Sequence, residues 1–396
     1  RSDGECVMKG STDKRFENAS AKEIDYIGDF SKLTTPGRYY IVAKGLGESD
    51  TFEIREDVYA DTFQKAMYFF YLQRCGCELP ESAAGAYAHG ACHTQDAVIY
   101  GTQNKISVNG GWHDAGDYGR YVVPGAMAVA QMLLAYEVNP SFMGQYTNAA
   151  AHKPELPDYF NELKYELDWM MTMQREDGAL YHKVSCYNFC GFILPDQEKE
   201  EIVISPVSVT ATGDFAAATA MAVRFYQKYD AEYADRLAAA SRRAYEALQN
   251  MNIPGGFKNP EEIVTGEYGD PCDEDERYWA AAELYKTFGD EKYRRDFEER
   301  AAGKIYHGYG WGAMGSYGNL AYITTSNPVS EELKEKIKAS MIDLGRHKLE
   351  IEEVDGYGTA LTSEEYTWGS NMNTANNGLH LYDAYRLIGQ KEYLDA

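Results

Sequence analysis

Asp114 and Asp117 lie in the stretch Gly110-Gly111-Trp112-His113-Asp114-Ala115-Gly116-Asp117-Tyr118-Gly119-Arg120-Tyr121. Two carboxylates this close in sequence, set among glycines and beside a histidine and a tryptophan, have the residue types for acid–base chemistry. Gly110, Gly111, Gly116 and Gly119 suit a tight loop that would crowd both carboxylates onto one small volume. Like charges so placed repel, so one can be held ionised by hydrogen bonds while the proton affinity of the other shifts. Such a pair can bind a cation or polarise a water as general base. The simpler reading is a Gly-Asp turn whose aspartates only satisfy backbone N–H groups.

Cys75, Cys92, His93 and His113 form a second constellation. Two thiolates and two imidazoles are a complete tetrahedral set for zinc. Their intervals are not those of a zinc finger, and a Cys75–Cys92 disulfide with two surface histidines fits the spacing equally well. Cys77 and His89 are nearby alternatives. The chain has seven cysteines, an odd number that cannot all pair within it. A third group, Glu267, Asp270, Asp273, Glu274, Asp275 and Glu276, falls in the short stretch 265–276 just before a helical pattern. Acidic residues there complement a helix dipole. With carbonyls and water they could also supply the roughly six to eight oxygens a calcium ion takes.

The elements that must position these groups change character along the chain. Residues 1–54 carry β signals: Ile24–Phe30 and Arg38–Ala43 are strand-forming, with Thr35-Pro36-Gly37 as a turn between them. From Val58 the pattern is helical. Phe63, Ala66, Met67, Phe70 and Tyr71 make an amphipathic stripe that ends at Arg74-Cys75-Gly76. Further helices are predicted over Val123–Glu137, Pro157–Gln174, Thr210–Lys228, Ala231–Asn250, Arg277–Phe288, Asp290–Ala302, Ser330–Leu344 and Thr374–Leu387. Strand signals are almost absent after residue 60. Periodicity alone therefore predicts a β-rich N-terminal part and a large all-α domain.

Bulk properties narrow the function. The net charge of −24 argues against nucleic acid, whose binding rewards basic patches. No apolar run approaches the ~18 residues of a membrane span. The 33 tyrosines fit a protein that grips sugar rings, though most must be packing and surface residues.

The stretch Gly110–Tyr121 resembles the aspartate motif of glycoside hydrolase family 9, the inverting cellulases. The resemblance implies an (α/α)6 barrel over residues 55–396, incomplete at its C-terminus. Asp29-Phe30-Ser31 and Pro36-Gly37-Arg38-Tyr39-Tyr40 resemble the last strands of the immunoglobulin-like module that precedes many such domains, which implies a partial β-sandwich over 1–54. By resemblance Asp117 is the general base and Asp114 its partner in holding the nucleophilic water. Cys75, Cys92, His93 and His113 become a structural zinc (Zn2+) site bracing the catalytic loop, and Asp270, Asp275 and Glu276 a calcium (Ca2+) site. His182 is expected to line the cleft, and Trp112, Trp311, Tyr366 and Trp368 to bind substrate. Barrel packing is the competing reading for the tryptophans.

The expected protein is thus a secreted, monomeric hydrolase of β-1,4-glucan, such as an endoglucanase, with no nucleic-acid or membrane partner. The alternatives are a non-catalytic carbohydrate-binding protein and an exo-acting glycosidase on cello-oligosaccharides or amino sugars. An inverting glycosidase also needs a general acid opposite the base. The family's acid glutamate has no match before Ala396, and Glu364 and Glu365 lie outside its motif. The natural polypeptide is therefore expected to continue past Ala396 and supply it. The start at Arg1 without Met is expected to reflect processing or trimming.

Overall fold

The computed structural model describes residues 3–12, 14–18 and 21–396. Residues 1, 2, 13, 19 and 20 of the expected N-terminal module lie outside the described residues. Two compact units emerge, one of Arg1–Ala66 with Met341–Ala396 and one of Met67–Ser340. This division differs from the expected one at residue 54, because the C-terminal helices group with the N-terminal strands.

In chain order the first strands are β1 (Lys14–Asn18), β2 (Glu23–Ile27), β3 (Gly37–Tyr39), β4 (Val42–Ala43), β5 (Gly47–Glu48) and β6 (Phe52–Ile54). They pair as three antiparallel two-stranded ladders, β1 with β2, β3 with β6 and β4 with β5. Among the described residues these ladders do not join into the two facing sheets of a sandwich. Tyr39 is buried against Phe52, and its hydroxyl donates to Thr35 O at 2.8 Å.

Among the described residues thirteen helices follow, with five more strands between them. The helices are α1 (Ala60–Leu72), α2 (Glu81–Ala84), α3 (Val122–Val138), α4 (Pro140–Met143), α5 (Asp158–Thr172), α6 (Val209–Tyr226), α7 (Ala231–Asn250), α8 (Glu274–Phe288), α9 (Glu291–Gly303), α10 (Gly315–Thr324), α11 (Glu331–Glu352), α12 (Ser370–Ile388) and α13 (Glu392–Asp395). In the first unit, Leu381 and Ala384 of α12 pack with Ala360 and Tyr393. Asn377 anchors the preceding loop by donating to Ala360 O at 2.9 Å.

The core of the second unit is built on α6 and α8. Every residue of α6 from Val209 to Ala222 is buried, as is every residue of α8 from Asp275 to Tyr285. Runs such as Ala216-Ala217-Ala218 and Ala280-Ala281-Ala282 let these helices approach closely, at the density of a protein interior. Helix α7 instead buries one stripe, Tyr233, Leu237, Ala240, Ala244 and Leu248, as its periodicity predicts. Its start is fixed by Asp230, whose carboxylate accepts Tyr233 N–H at 2.9 Å.

Two features depart from the sequence-based expectation. Helix α10 is buried from Gly315 to Ile323, so it carries no polar face and no periodic stripe to find. The second unit also holds a five-stranded sheet of β7 (Ala97–Ile99), β8 (Lys105–Ile106), β9 (Arg120–Tyr121), β10 (Lys183–Cys186) and β11 (Ile202–Ile204). Its order is β8-β7-β11-β10-β9. Strands of two to four residues are too short to display alternation, and β10 and β11 are buried throughout. This sheet carries the end of the aspartate loop: β9 pairs with β10, with Lys183 opposite Tyr121.

Gly111 in that loop has φ +79°, and a Cβ there would sit 2.7 Å from the Trp169 ring. Gly111→Ala is therefore expected to cost about 2–5 kcal/mol, from left-handed backbone strain and overpacking together. Urea unfolding measures this, and a loss below about 0.5 kcal/mol would contradict it.

Candidate functional site

The aspartate loop is held from below by charge. Helix α5 presents Glu162 and Glu166 one turn apart, both buried. Glu166 accepts the backbone N–H of Trp112 at 2.6 Å, and Glu162 accepts its indole N–H at 2.9 Å. Arg74 forks onto Glu162 with contacts of 3.0 and 2.9 Å. Burial pushes the Glu166 carboxyl up to about 8. Arg120 donates to Val108 O at 2.6 Å and to Gly110 O at 2.8 Å, closing the loop's other end.

Above this base the two aspartates meet different surroundings. Asp117 is buried and accepts the hydroxyl of Tyr121, with Gly119 N–H at 3.4 Å from its other oxygen. Asp114 is exposed to solvent. Tyr268 donates to both oxygens of Asp114, at 3.0 and 2.8 Å. Desolvation raises the Asp114 pKa to about 6; the Tyr268 hydrogen bond opposes the rise and the nearby Asp117 charge adds to it. The two aspartates thus have different hydrogen-bond partners, and the Asp117 charge acts on Asp114.

Tyr268, Tyr121 and Lys183 are site residues that sequence reasoning missed. Lys183 is buried and donates to Thr265 Oγ1 at 3.0 Å, to Thr265 O at 3.3 Å and to Gly266 O, fixing the loop that brings Tyr268 to Asp114. Burial lowers its pKa to about 8, against the pull of Asp117 and Glu267. The Tyr268 ring meets Tyr121 edge-on at 4.9 Å and Trp311 at 5.1 Å. His93, Tyr118 and Tyr268 all have positive φ. Lys22 and Ala360 in the other unit are the remaining non-glycine residues with positive φ among the described residues, so three of five belong to the aspartate loop, the thiol–imidazole cluster or the Tyr268 loop.

The remaining predicted binders are placed unevenly. Trp311 is half-buried beside Tyr268. Trp112 is a correction: it is buried, its indole N–H is taken by Glu162, and its ring packs on Phe70 at 4.7 Å. His182 is a second correction. It is fully buried and stacked on Phe257 at 3.7 Å, with its ring nitrogens 2.8 Å from Ser208 Oγ and 2.8 Å from Glu267 O, so no polar atom is left for a sugar. Tyr366 and Trp368, in the other unit, are both exposed. Trp368 is bare on its surface, and Tyr366 bonds Thr359 at 2.8 Å.

Cys75, Cys92, His93 and His113 converge and are all buried. The two sulfurs are 4.0 Å apart, which excludes the disulfide reading, since that bond is about 2.05 Å. Cys75 Sγ lies 3.7 Å from His93 Nδ1, and Cys92 Sγ lies 3.7 Å from His113 Nε2. Tetrahedral zinc bonds of about 2.3 Å to sulfur and about 2.0 Å to nitrogen imply edges of about 3.5–3.8 Å, so the donors fit a zinc-sized ion. Hydrogen bonding from the Cys75 thiol, then from the histidines, drives Cys92 toward thiolate, while burial pushes Cys75 up. Cys77 and His89 lie outside the cluster. Because His113 directly precedes Asp114, the cluster and the aspartate pair share one loop.

Asp270, Asp275 and Glu276 do not converge as tightly; among the described residues they are not a ligand-distance group. Asp275 accepts Met314 N–H at 2.7 Å, and Asp270 accepts Cys272 N–H at 2.9 Å. Both oxygens of Glu276, one oxygen of Asp270 and both oxygens of Asp214 are buried without hydrogen-bond partners. Asp214, on α6, was not singled out from the sequence. Orphaned buried carboxylates of this kind call for a cation or a proton.

Comparison with known proteins agrees with this architecture. Residues 59–396 match the model of glycosyl hydrolase family 9, and residues 1–48 that of the cellulase N-terminal ig-like domain. Endoglucanase D of Acetivibrio thermocellus is 39% identical over 410 residues, covering 100% of this chain. The chain spans 65% of that relative's length, which is under two thirds. A cellodextrinase of Butyrivibrio fibrisolvens is 35% identical over 97% of this chain and 74% of its own. A solved structure, a Zn-binding triple mutant of the family 9 endoglucanase J30, superposes with TM-score 0.93 at 30% identity, covering 99% of this chain and 75% of that one. The expected mainly α, (α/α)-barrel class is the one shared with these structures.

The raised Asp114 pKa gives a measurable outcome. In carboxyl-carbon NMR, Asp114 should titrate near 6, ionised above and protonated below. Tyr268→Phe removes the donor that favours the anion, so the midpoint should move to higher pH. An Asp114 midpoint near 3.8, or a downward move in the variant, contradicts the geometry.

Proposed function

The chain belongs to glycosyl hydrolase family 9, and on that premise we propose that it hydrolyses β-1,4-glucosidic bonds of cellulose or related β-glucans with inversion. The observation that carries this reading is the aspartate pair held by Tyr121 and Tyr268, with Trp311 packed on the Tyr268 ring. A water between the carboxylates would lose its proton to Asp117 as it attacks the anomeric carbon, with Asp114 orienting it. The Tyr121 and Tyr268 hydroxyls hold the two carboxylates in fixed positions. Trp311 offers an apolar face to a sugar ring, and Trp368 and Tyr366 are proposed as further binders.

The leaving oxygen needs a proton from a general acid. We assign that role to neither Glu364 nor Glu365. Glu365 caps its own turn through Thr362 and pairs with Lys348 at 3.0 Å. Short cello-oligosaccharides are a second substrate reading, supported by the likeness to a cellodextrinase.

The four-donor cluster is proposed to hold structural zinc, which when bound would neutralise the thiolate charge behind the loop. Cys75, Cys92, His93 and His113 would be its ligands. Calcium is proposed at Asp270, Asp275 and Glu276, with the orphaned Asp214 as a fourth carboxylate. The immunoglobulin-like module over 1–54 is kept as a proposal, supported by the match over residues 1–48. Secretion is proposed because a glucan polymer cannot enter a cell. Action as a monomer is proposed because both aspartates come from one chain.

A substrate that needs no acid tests the base directly. A dinitrophenyl β-cellobioside leaves as a stable phenolate, so the chain should hydrolyse it and release the α-anomer first, seen by proton NMR. Asp117→Asn should slow this by about 10²–10⁴-fold. Initial release of the β-anomer, or an unimpaired Asp117→Asn, would overturn the assignment. Binding of cello-oligosaccharide without turnover would favour a carbohydrate-binding protein instead. For the metal, protein purified without chelator should retain at least one zinc per chain after dialysis, and Cys92→Ser should lose the zinc of the inner cluster and melt lower. Metal-free protein of unchanged melting temperature contradicts a structural zinc.

A further inference from the structure

A second set of donors stands on the outer side of the four-donor cluster. His93, Cys186 and Glu198 are all buried, and one donor atom of each lies within 4.8 Å of the others. His93 faces both ways: Nδ1 points to Cys75 at 3.7 Å, and Nε2 lies 2.8 Å from Glu198 Oε2. The Glu198 side chain is only 2% exposed, yet its other oxygen, Oε1, has no partner. The Cys186 thiol lies 4.0 Å from Glu200 O and also faces the Glu198 carboxylate; burial raises its pKa first, and that carboxylate adds to the rise. A buried carboxylate oxygen met only by thiols, which are weak donors, is poorly satisfied, and a cation would join it to their sulfurs.

The surroundings supply rigidity and access. Cys186 is fixed in β10, in register with Ile202 of β11. Cys190, four residues on, has its thiol raised first by burial and then by Glu198, which sets it near the same carboxylate. A cavity of about 470 Å³ reaches His93 and Glu198 from the surface. Its walls carry Asp96, Asp196, Glu198, Glu200 and Glu201 against two lysines, an excess of negative charge that concentrates cations.

We infer that His93, Cys186 and Glu198 form a second metal site for a borderline-soft divalent ion, of the zinc or cadmium class, which shares His93 with the inner cluster. One imidazole nitrogen serves each ion, and the outer ion takes a thiolate and a carboxylate besides. The protons of Cys186 and of His93 Nε2 leave to solvent as it binds. This inference is independent of the proposed hydrolysis and rests on the inner metal reading only for the total count. The competing arrangement leaves Glu198 as no more than a hydrogen-bond partner orienting His93 for the inner ion. That arrangement uses one carboxylate oxygen and leaves the other to the weak thiol donors Cys186 and Cys190.

Cadmium titration of the full chain, stripped with chelator and kept reduced, separates the two. Calorimetry should show two equivalents. The second should add thiolate-to-cadmium absorbance in the ultraviolet, worth one thiolate, or two if Cys190 closes the set. Cys186→Ser and Glu198→Gln should each lose the second equivalent and keep the first. Saturation at one equivalent overturns the proposal, as does a Glu198→Gln that only weakens the first. A second equivalent that persists in Cys186→Ser, or adds no thiolate absorbance, marks binding to cleft carboxylates and also overturns it. The wild-type stoichiometry and thiolate count decide the matter even if a variant fails to fold.

Discussion

Trp112 is gripped at two points by carboxylates from one helix, and the rest of the site depends on that grip. Glu166 takes its backbone N–H and Glu162 its indole N–H, while Arg74 neutralises Glu162. Charge-assisted hydrogen bonds in a dry interior are strong and leave little room for alternative geometries. Removing one partner would strand a buried polar group at a cost of about 1–3 kcal/mol or more. The residue clamped in this way is followed directly by His113 and Asp114. The loop that carries the chemistry is therefore an extension of a rigid, buried network.

On its other side the same loop meets the thiol–imidazole cluster. His113 is held by its backbone N–H, which donates to Gln73 O at 2.7 Å, and Cys75 N–H donates to Gly111 O at 2.8 Å. The segments around Arg74 and Trp112 thus run side by side, so a metal at the cluster would tie both to His93. Asp114 is fixed between a clamp below and a cluster beside it. That pre-organisation lets two like-charged carboxylates remain close without the loop opening to separate them.

The second unit buries many acids: Glu162, Glu166, Glu198, Asp214, Asp275 and Glu276 are all among its buried residues. Some have protein partners, such as Arg74 on Glu162 and Met314 N–H on Asp275. Others, such as Asp214 and Glu276, have none among the described residues. For those two, burial pushes the carboxyls well above their ordinary range, and their neighbours' charges add to it. A fold that keeps such groups gains little stability from them. They are better understood as sites for cations, protons or positioning than as parts of the core.

The sequence by itself determined the local chemistry. Asp114 and Asp117 among glycines, the two thiols and two imidazoles, and the stripe of α7 are all legible because each depends on neighbours in the chain. The same holds for family membership, since the aspartate motif is one contiguous run inside the matched residues 59–396. Tertiary structure alone decided what those groups face. Tyr268 reaches Asp114 across 154 positions because Lys183 anchors its loop, and no local pattern encodes that pairing. His182 by its loop's family resemblance and Trp112 by its flat ring are expected to meet sugar, but the one is buried against Phe257 and the other gives its indole N–H to Glu162. The short strands β9 and β10 escaped notice because two to four residues cannot display a period. Spacing along a chain fixes which groups are available; only packing fixes which of them are desolvated, paired or left open, and those conditions set their chemistry.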